Sequence, residues 1–302
     1  MPSQLSPIKL GFRQTAQRAL LACAAIVLTH TSGAWAADPF RTGENSRPIS
    51  DATEAVFVAV FREGNYVKGR QLLPAALKAS AQEPLTLTMA GGMAFLDGNW
   101  ADLNRYANQT IQAAQRLSTK DPLRSNLYQA VGNFLLAAYD MSDGGSGPVA
   151  GAALALMRAQ DVFGYLNQAK AINPNDPELN LIQGFIEWGV ANNLGIFKIE
   201  DGINRLQTQA APPYLSYRGV ALAYRDLNQS QAALEAIEKA LAAAPNNPEL
   251  IYLKAQILSQ AGNKQASLSL FNQALAMGDQ LPSELVKQIK LERDQVQAAL
   301  PQ

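Results

Sequence analysis

Residues 214–247 read YLSYRGVALAYRDLNQSQAALEAIEKALAAAPNN, and residues 248–281 follow as PELIYLKAQILSQAGNKQASLSLFNQALAMGDQL. Each block is 34 residues long and holds two apolar-periodic runs of helical length. A polar break at Asn228 or Gly262 separates the two runs. Tyr217, Val220, Ala221 and Tyr224 recur at the three- and four-residue spacing of one helix face, as do Ala233, Ile237 and Ala240. The small residues let paired helices approach closely, and the larger ones fill the gaps between them. Asn or Gly in the break tolerates a left-handed backbone, and Pro245 stops the second helix. One such pair cannot bury its own apolar face, so neighbouring pairs must stack.

The rest of the chain repeats this grammar. Gly64-Asn65-Tyr66 recurs 34 residues later as Gly98-Asn99-Trp100, the spacing that also separates Asn228 from Gly262. NPNDPEL at 173–179 returns as APNNPEL at 244–250, 71 residues on, about two repeat lengths. No segment sustains the two-residue alternation of a strand, and the Ala- and Leu-rich runs favour helix.

These blocks resemble tetratricopeptide (TPR) repeats. Tyr217 stands in the usual Trp slot, Val220 in the Leu slot, and Ala221, Ala233 and Ala240 in the small-residue slots. Tyr224 takes the Tyr slot, Ile237 the Phe slot and Pro245 the closing Pro. The next block supplies Ile251, Ala255, Leu258, Gly262, Ser267, Phe271 and Ala274 at matching places, and its Pro282 comes three residues late. Four earlier units begin near Ser50, Pro84, Asp121 and Pro177; the third carries an insertion at 140–151 and the fourth a stretched turn at 192–198. The resemblance implies an all-α, TPR-like solenoid of about six helix–turn–helix units over residues 51–281. An extended lead-in at 37–50 precedes it, and a capping helix at 282–302 closes it.

The first 36 residues follow another logic. Lys9, Arg13 and Arg18 precede an apolar run from Ala19 to Leu28, and Ala34-Trp35-Ala36 closes the segment. A basic start, a core of about ten apolar residues and an A-x-A end describe an export signal; a membrane-spanning helix needs roughly twenty. Cleavage after Ala36 is expected, with the mature chain periplasmic or extracellular and no transmembrane segment left. Leu20-Leu21-Ala22-Cys23 offers a rival lipobox, but Arg18 stands too close to it and the apolar run continues past the cysteine. With its low charge and many Gln and Ala residues, the chain is similar to exported cyanobacterial periplasmic TPR-family proteins.

Composition narrows the chemistry. The chain carries 25 basic and 25 acidic residues with no long run of one sign, which removes the footprint of a nucleic-acid binder. The leader holds three of the basic residues, so the mature chain keeps 22 and a charge of −3. It also takes away Cys23 and His30, the only cysteine and the only histidine. Thiol nucleophiles, histidine triads and Cys/His metal sites are thereby excluded, and no cofactor or metal is expected. Gly144-Gly145-Ser146-Gly147 lacks the Gly-Lys-Ser/Thr of a phosphate loop, and the acids at 140 and 143 lack the ligand spacing of a calcium loop. The insertion reads as a flexible connection. Glu200-Asp201, adjacent on a helix, diverge by about 100° and read as a helix start.

A binding surface remains. In TPR arrays the first helices line a concave face. The faces that avoid the packing slots give Asn126, Gln129 and Asn133, then Leu181, Phe185 and Trp188, then Arg218, Leu222 and Arg225, then Tyr252, Gln256 and Ser259. Phe185 and Trp188 suit a packed core somewhat better than a groove, and the two arginines equally suit solvated charges. The Lys/Asn set that grips peptide carboxylates in some TPR domains is not reproduced. The expected function is an exported, non-enzymatic scaffold for a protein or peptide. Two other classes are an envelope-assembly subunit and a carboxylate-based enzyme or glycan-binding module around Asp140, Asp143 and Glu187. N-terminal sequencing of the protein recovered from its native host is expected to begin at Ala37; an intact Met1 or a lipidated Cys23 would replace the signal-peptide reading.

Overall fold

The computed structural model describes residues 37–194 and 199–300. Residues 1–36, where an export signal is expected, the centre of the stretched turn, 195–198, and residues 301–302 lie outside the described residues. The remainder is helical and forms six consecutive hairpins: α1 (Asp51–Phe57) with α2 (Tyr66–Ala79), α3 (Pro84–Leu96) with α4 (Trp100–Arg116), α5 (Pro122–Asp140) with α6 (Gly147–Ile172), α7 (Pro177–Leu194) with α8 (Ile199–Thr208), α9 (Pro213–Asp226) with α10 (Ser230–Ala243), and α11 (Pro248–Gln260) with α12 (Lys264–Ala276). A last helix, α13 (Ser283–Ala298), packs on α12. The fold is the all-α, TPR-like array that the 34-residue period implies.

Local chemistry explains the boundaries. The first helices of hairpins two to six all begin on a proline, whose missing N–H costs nothing at the first helical position. The breaks inside hairpins one, two, five and six place Gly64, Gly98, Asn228 and Gly262 at φ values of +68, +67, +59 and +83°, the left-handed conformation that the repeating Gly or Asn predicts. The small and large slots of the fifth unit, Val220, Ala221, Ala233, Ile237 and Ala240, are fully buried. Tyr217 and Tyr224 pack half-buried against the same core.

The first helices form an inner layer. They are buried on nearly every face, whereas an outer helix such as α4 buries only one stripe, from Leu103 to Ala114. The array also closes on itself. The Asn247 side chain donates to the Phe61 carbonyl at 3.1 Å and the Arg62 carbonyl at 3.3 Å, and the Tyr66 hydroxyl donates to Glu249 at 2.8 Å. Gly64 lies so close to Asn247 and Pro248 that a Cβ there would sit 2.6 Å from the Asn247 amide oxygen. Helix α2 also touches the turn Gly278–Gln280 ahead of α13. The first hairpin thus meets the last.

The lead-in completes the closure. Phe40 and Ile49 are buried, and Phe40 packs edge-on against Phe57 at 6.2 Å. Arg41 reaches the start of α7, where Nε and Nη2 each lie 2.7 Å from the two Asp176 oxygens and Nη2 lies 2.7 Å from Glu178. The segment includes a 3-10 turn at Gly43–Asn45 and is docked, anchored by side chains that composition alone does not assign.

The insertion also differs from its expectation. Helix α6 already begins at Gly147, and the turn before it is packed rather than flexible. A Cβ at Gly144 would stand 2.2 Å from Trp100, and one at Gly151 would stand 2.0 Å from the Asp140 carbonyl. These glycines permit close approach. Asp140 is held by Arg158 of α6.

Breaking the lead-in clamp has a calculable effect. Arg41→Ala leaves Asp176 and Glu178, 2% and 0% exposed, without their main counter-charge. A loss of about 3–5 kcal/mol in urea unfolding is expected, the range for removing one partner of a buried ion pair. A loss below about 1 kcal/mol would mean that the clamp is dispensable.

Candidate protein-binding site

The inner face is tied together by polar contacts between successive first helices. Arg218 on α9 meets Glu249 on α11 at 3.2 Å. Two turns on, the Arg225 guanidinium donates to Gln256 Oε1 at 2.7 Å, and Gln256 Nε2 donates to Glu292 on α13 at 2.7 Å. Tyr252 donates to the same carboxylate at 2.8 Å. This ladder fixes the register of α9, α11 and α13.

The sequence-derived surface residues therefore lie in several environments. Phe185, Trp188 and Leu222 are core side chains, 0%, 1% and 4% exposed, and Leu181 is buried with them. Phe185 and Trp188 pack edge-on at 6.3 Å. Their placement on an open concave face is corrected: all four side chains are buried in the core. Gln129 and Asn133 are buried along α5 and donate to backbone carbonyls one turn back, those of Ser125 and Gln129. Asn126 is half-buried. Arg218 and Tyr252 are committed to Glu249 and Glu292.

Arg225 and Gln256 are committed too, to Asp226, to each other and to Glu292, but they also border a cavity. They line one trough of about 720 Å³ between the C-terminal ends of α9 and α11 and the inner side of α13. Ser259, Gln260, Lys264, Gln288 and Gln295 complete its polar wall, and Phe271 and Val296 its apolar floor. Gln256, Gln260 and Gln288 donate within the array, to Glu292, the Arg225 carbonyl and Glu292 in turn, so their amides hold the wall in place. A second cleft, of about 940 Å³, opens between α6, α7 and α8 and includes Glu187 and Arg205.

The densest set of titratable groups lies elsewhere, where the N-terminal ends of α3, α5 and α7 converge. Glu83, Asp121 and Asp176 cap these helices through the amides of Leu85, Arg124 and Leu179. Arg124 bridges Glu83 at 2.6 Å, Arg47 bridges Asp121 at 2.8 Å, and Arg41 binds Asp176 and Glu178. The Tyr128 hydroxyl donates to Glu178 at 2.5 Å. Burial pushes the Glu178 carboxyl above its ordinary range, partly offset by the positive charges of Arg41 and Arg124. Burial, reinforced by the Glu178 charge, also raises the Tyr128 phenol. Every member of this cluster is engaged by another beneath the lead-in, an arrangement that orders helix ends. Asp140 and Glu187 do not converge: Arg158 holds the first, and Gln183 and Arg205 hold the second. Among the described residues no group of three His, Cys, Asp or Glu side chains is arranged to hold a metal ion.

Comparison with known proteins bears on the fifth unit. The tetratricopeptide repeat family model matches residues 219–247, which run from the middle of α9 through α10 to the start of the next repeat. No curated protein matches the chain. Among solved structures, a thermophilic TPR protein of Thermus thermophilus aligns at 16% identity over 82% of this chain and 99% of that one, with a TM-score of 0.31. The family match places a recognisable TPR unit within the all-helical repeat array.

Glu178 gives the charged cluster a pH signature. Its raised folded-state pKa means that the native state binds the proton more tightly, so its contribution to stability falls as pH rises from 4.5, the ordinary glutamate value, through the folded value. Urea midpoints of the parent and Glu178→Gln, measured from about pH 4.5 to about pH 7, are expected to shift in favour of the variant as pH rises, by about 1.4 kcal/mol per unit of pKa displacement. A difference independent of pH would show that Glu178 keeps an ordinary pKa.

Proposed function

We propose that this chain is a non-enzymatic, exported scaffold that holds a protein or peptide partner, and that the partner lies in the trough between α9, α11 and α13. One observation carries this reading: Arg225 and Gln256, chosen from helical register alone, line the same trough as Gln260, Gln288 and Gln295. The inner helices and their internal amide bonds fix the wall, so a partner meets a preformed surface. The fold supports an interaction role, and the leader-like first 36 residues support an extracytoplasmic location. No described helix is long and apolar enough to cross a membrane.

The trough reading is tested on its rim, because Arg218 and Tyr252 hold the fold. Ser259→Arg combined with Gln295→Arg narrows the trough without touching the Arg225–Gln256–Glu292 ladder. Partners retained by the parent from native extracytoplasmic extract are expected to fall by about tenfold on the variant, the effect of losing one interface hot spot. Equal retention by a variant of unchanged helicity would move the site out of the trough.

A further inference from the structure

The buried part of the lead-in begins with the second residue after the bond at which the leader is expected to be cut. Ala37 is exposed, and the residues that follow it, Asp38 to Arg41, are all buried. Asp38 organises that segment. One of its carboxylate oxygens accepts from the Phe40 amide at 2.7 Å and the Arg41 amide at 3.2 Å. The other accepts from the Arg47 amide at 2.7 Å and from Arg41 Nη1 at 3.2 Å. Ala37 directly precedes Asp38, so covalent geometry keeps its nitrogen within about 8 Å of that carboxylate.

The cluster beneath the lead-in holds more acid than base. Its carboxylates are Asp38 of the lead-in, Glu83 ahead of α3, Asp121 ahead of α5, and Asp176 and Glu178 at the start of α7. Its full positive charges among the described residues are Arg41, Arg47 and Arg124. Two carboxylates are thus left to the partial charges of three helix N-termini, about half a charge each. The Tyr128 phenol, raised by burial and by the Glu178 charge, stays neutral. Burial holds the Glu178 carboxyl up; Arg41 and Arg124 pull it down, and the charges of Asp176 and Asp38 push it up again. One more cation at this place would meet only favourable fields from Asp38 and the acids behind it.

We infer that removal of the leader completes this cluster: the α-ammonium that cleavage creates on Ala37 is its fourth cation, and it fastens the lead-in onto the array. The inference rests on the export reading. Hydrolysis of the Ala36–Ala37 peptide bond by an endopeptidase consumes one water and leaves a carboxylate on Ala36 and an amine on Ala37. That amine takes up a proton below about pH 8, whereas in the uncut chain the same nitrogen is an uncharged amide. The fold thereby registers its own processing, and the ring is held most tightly in the cut chain. Composition makes the effect readable. Cys23 and His30 leave with the leader, so the α-amine is the one group of the cut chain with an ordinary pKa between about 6.5 and about 9.5. The carboxylates raise its folded value, so its contribution is complete below about pH 7.7 and is lost as pH rises through that higher value.

The test compares the processed protein, purified from an exporting host, with the same protein acetylated at its α-amine alone. At about pH 6.5 the unfolding constant in urea is expected to be about threefold to tenfold smaller for the free amine, the effect of one charge pair in largely aqueous surroundings. At about pH 9.5 the ratio is expected to fall to about one, because the amine is then neutral in both states. Hydrogen exchange at about pH 6.5 locates the effect: the Phe40, Arg41 and Arg47 amides, which all donate to Asp38, are expected to exchange faster by about the same factor after acetylation. Equal constants at the lower pH, or a ratio that persists at the higher one, would overturn the inference and leave export intact. A processed chain with a first residue other than Ala37 would also overturn it alone, whereas recovery of only the uncut chain would end the export reading and the inference with it.

Discussion

Three inner helices, α3, α5 and α7, point their N-terminal ends at one another, and the carboxylates that cap them would repel without counter-charge. Arg41, Arg47 and Arg124 supply it, and two of the three come from the lead-in. The helix ends add partial positive charge of their own, so five acids can be balanced by three guanidinium groups and three helix termini. The bidentate Arg41–Asp176 contact suits arginine, because a planar fork matches both carboxylate oxygens and remains charged at any physiological pH. Without this clamp the first three hairpins would lose their common anchor to the fourth.

The clamp has a counterpart at the other side of the ring, where Asn247 caps α11 and also binds two carbonyls of the first hairpin. Together these contacts turn an open repeat array into a closed one. An open superhelix offers its inner face to a ligand; a closed one fills that face with its own side chains. Clefts then remain where stacking is imperfect, at the C-terminal edge beside α13 and between the long α6 and the short α8.

The hairpins were legible because their determinants are local. Val220, Ala221 and Ala233 declare their burial through spacing and size, and Asn228 and Gly262 declare their turns through backbone conformation. Helical register is enough to put Arg225 and Gln256 on one surface, and it needs no long-range knowledge. Phe185 and Trp188 were ambiguous because register gives a face, while exposure depends on what the curvature of the whole array brings against it. The docking of residues 37–50 was hidden for the same reason. Its one signal was the presence of Phe40, Arg41, Arg47 and Ile49 in a segment that otherwise reads as a connector. The insertion misled differently, because glycines chosen for tight contact with Trp100 and Asp140 look like glycines chosen for freedom.

The closure also sets an order of events. Contacts within a repeat array join residues close in sequence, so each hairpin can form as soon as its two helices exist. Arg41, by contrast, meets partners 135 and 137 residues downstream, and Tyr66 waits for Glu249, 183 residues away. In a chain emerging from its N-terminus, residues 37–50 are the earliest of the folded part to appear, yet they find their places only after several hairpins have formed. Until Glu249 arrives the ring stays open, so the growing chain is a string of hairpins that becomes a single cooperative unit only near its completion.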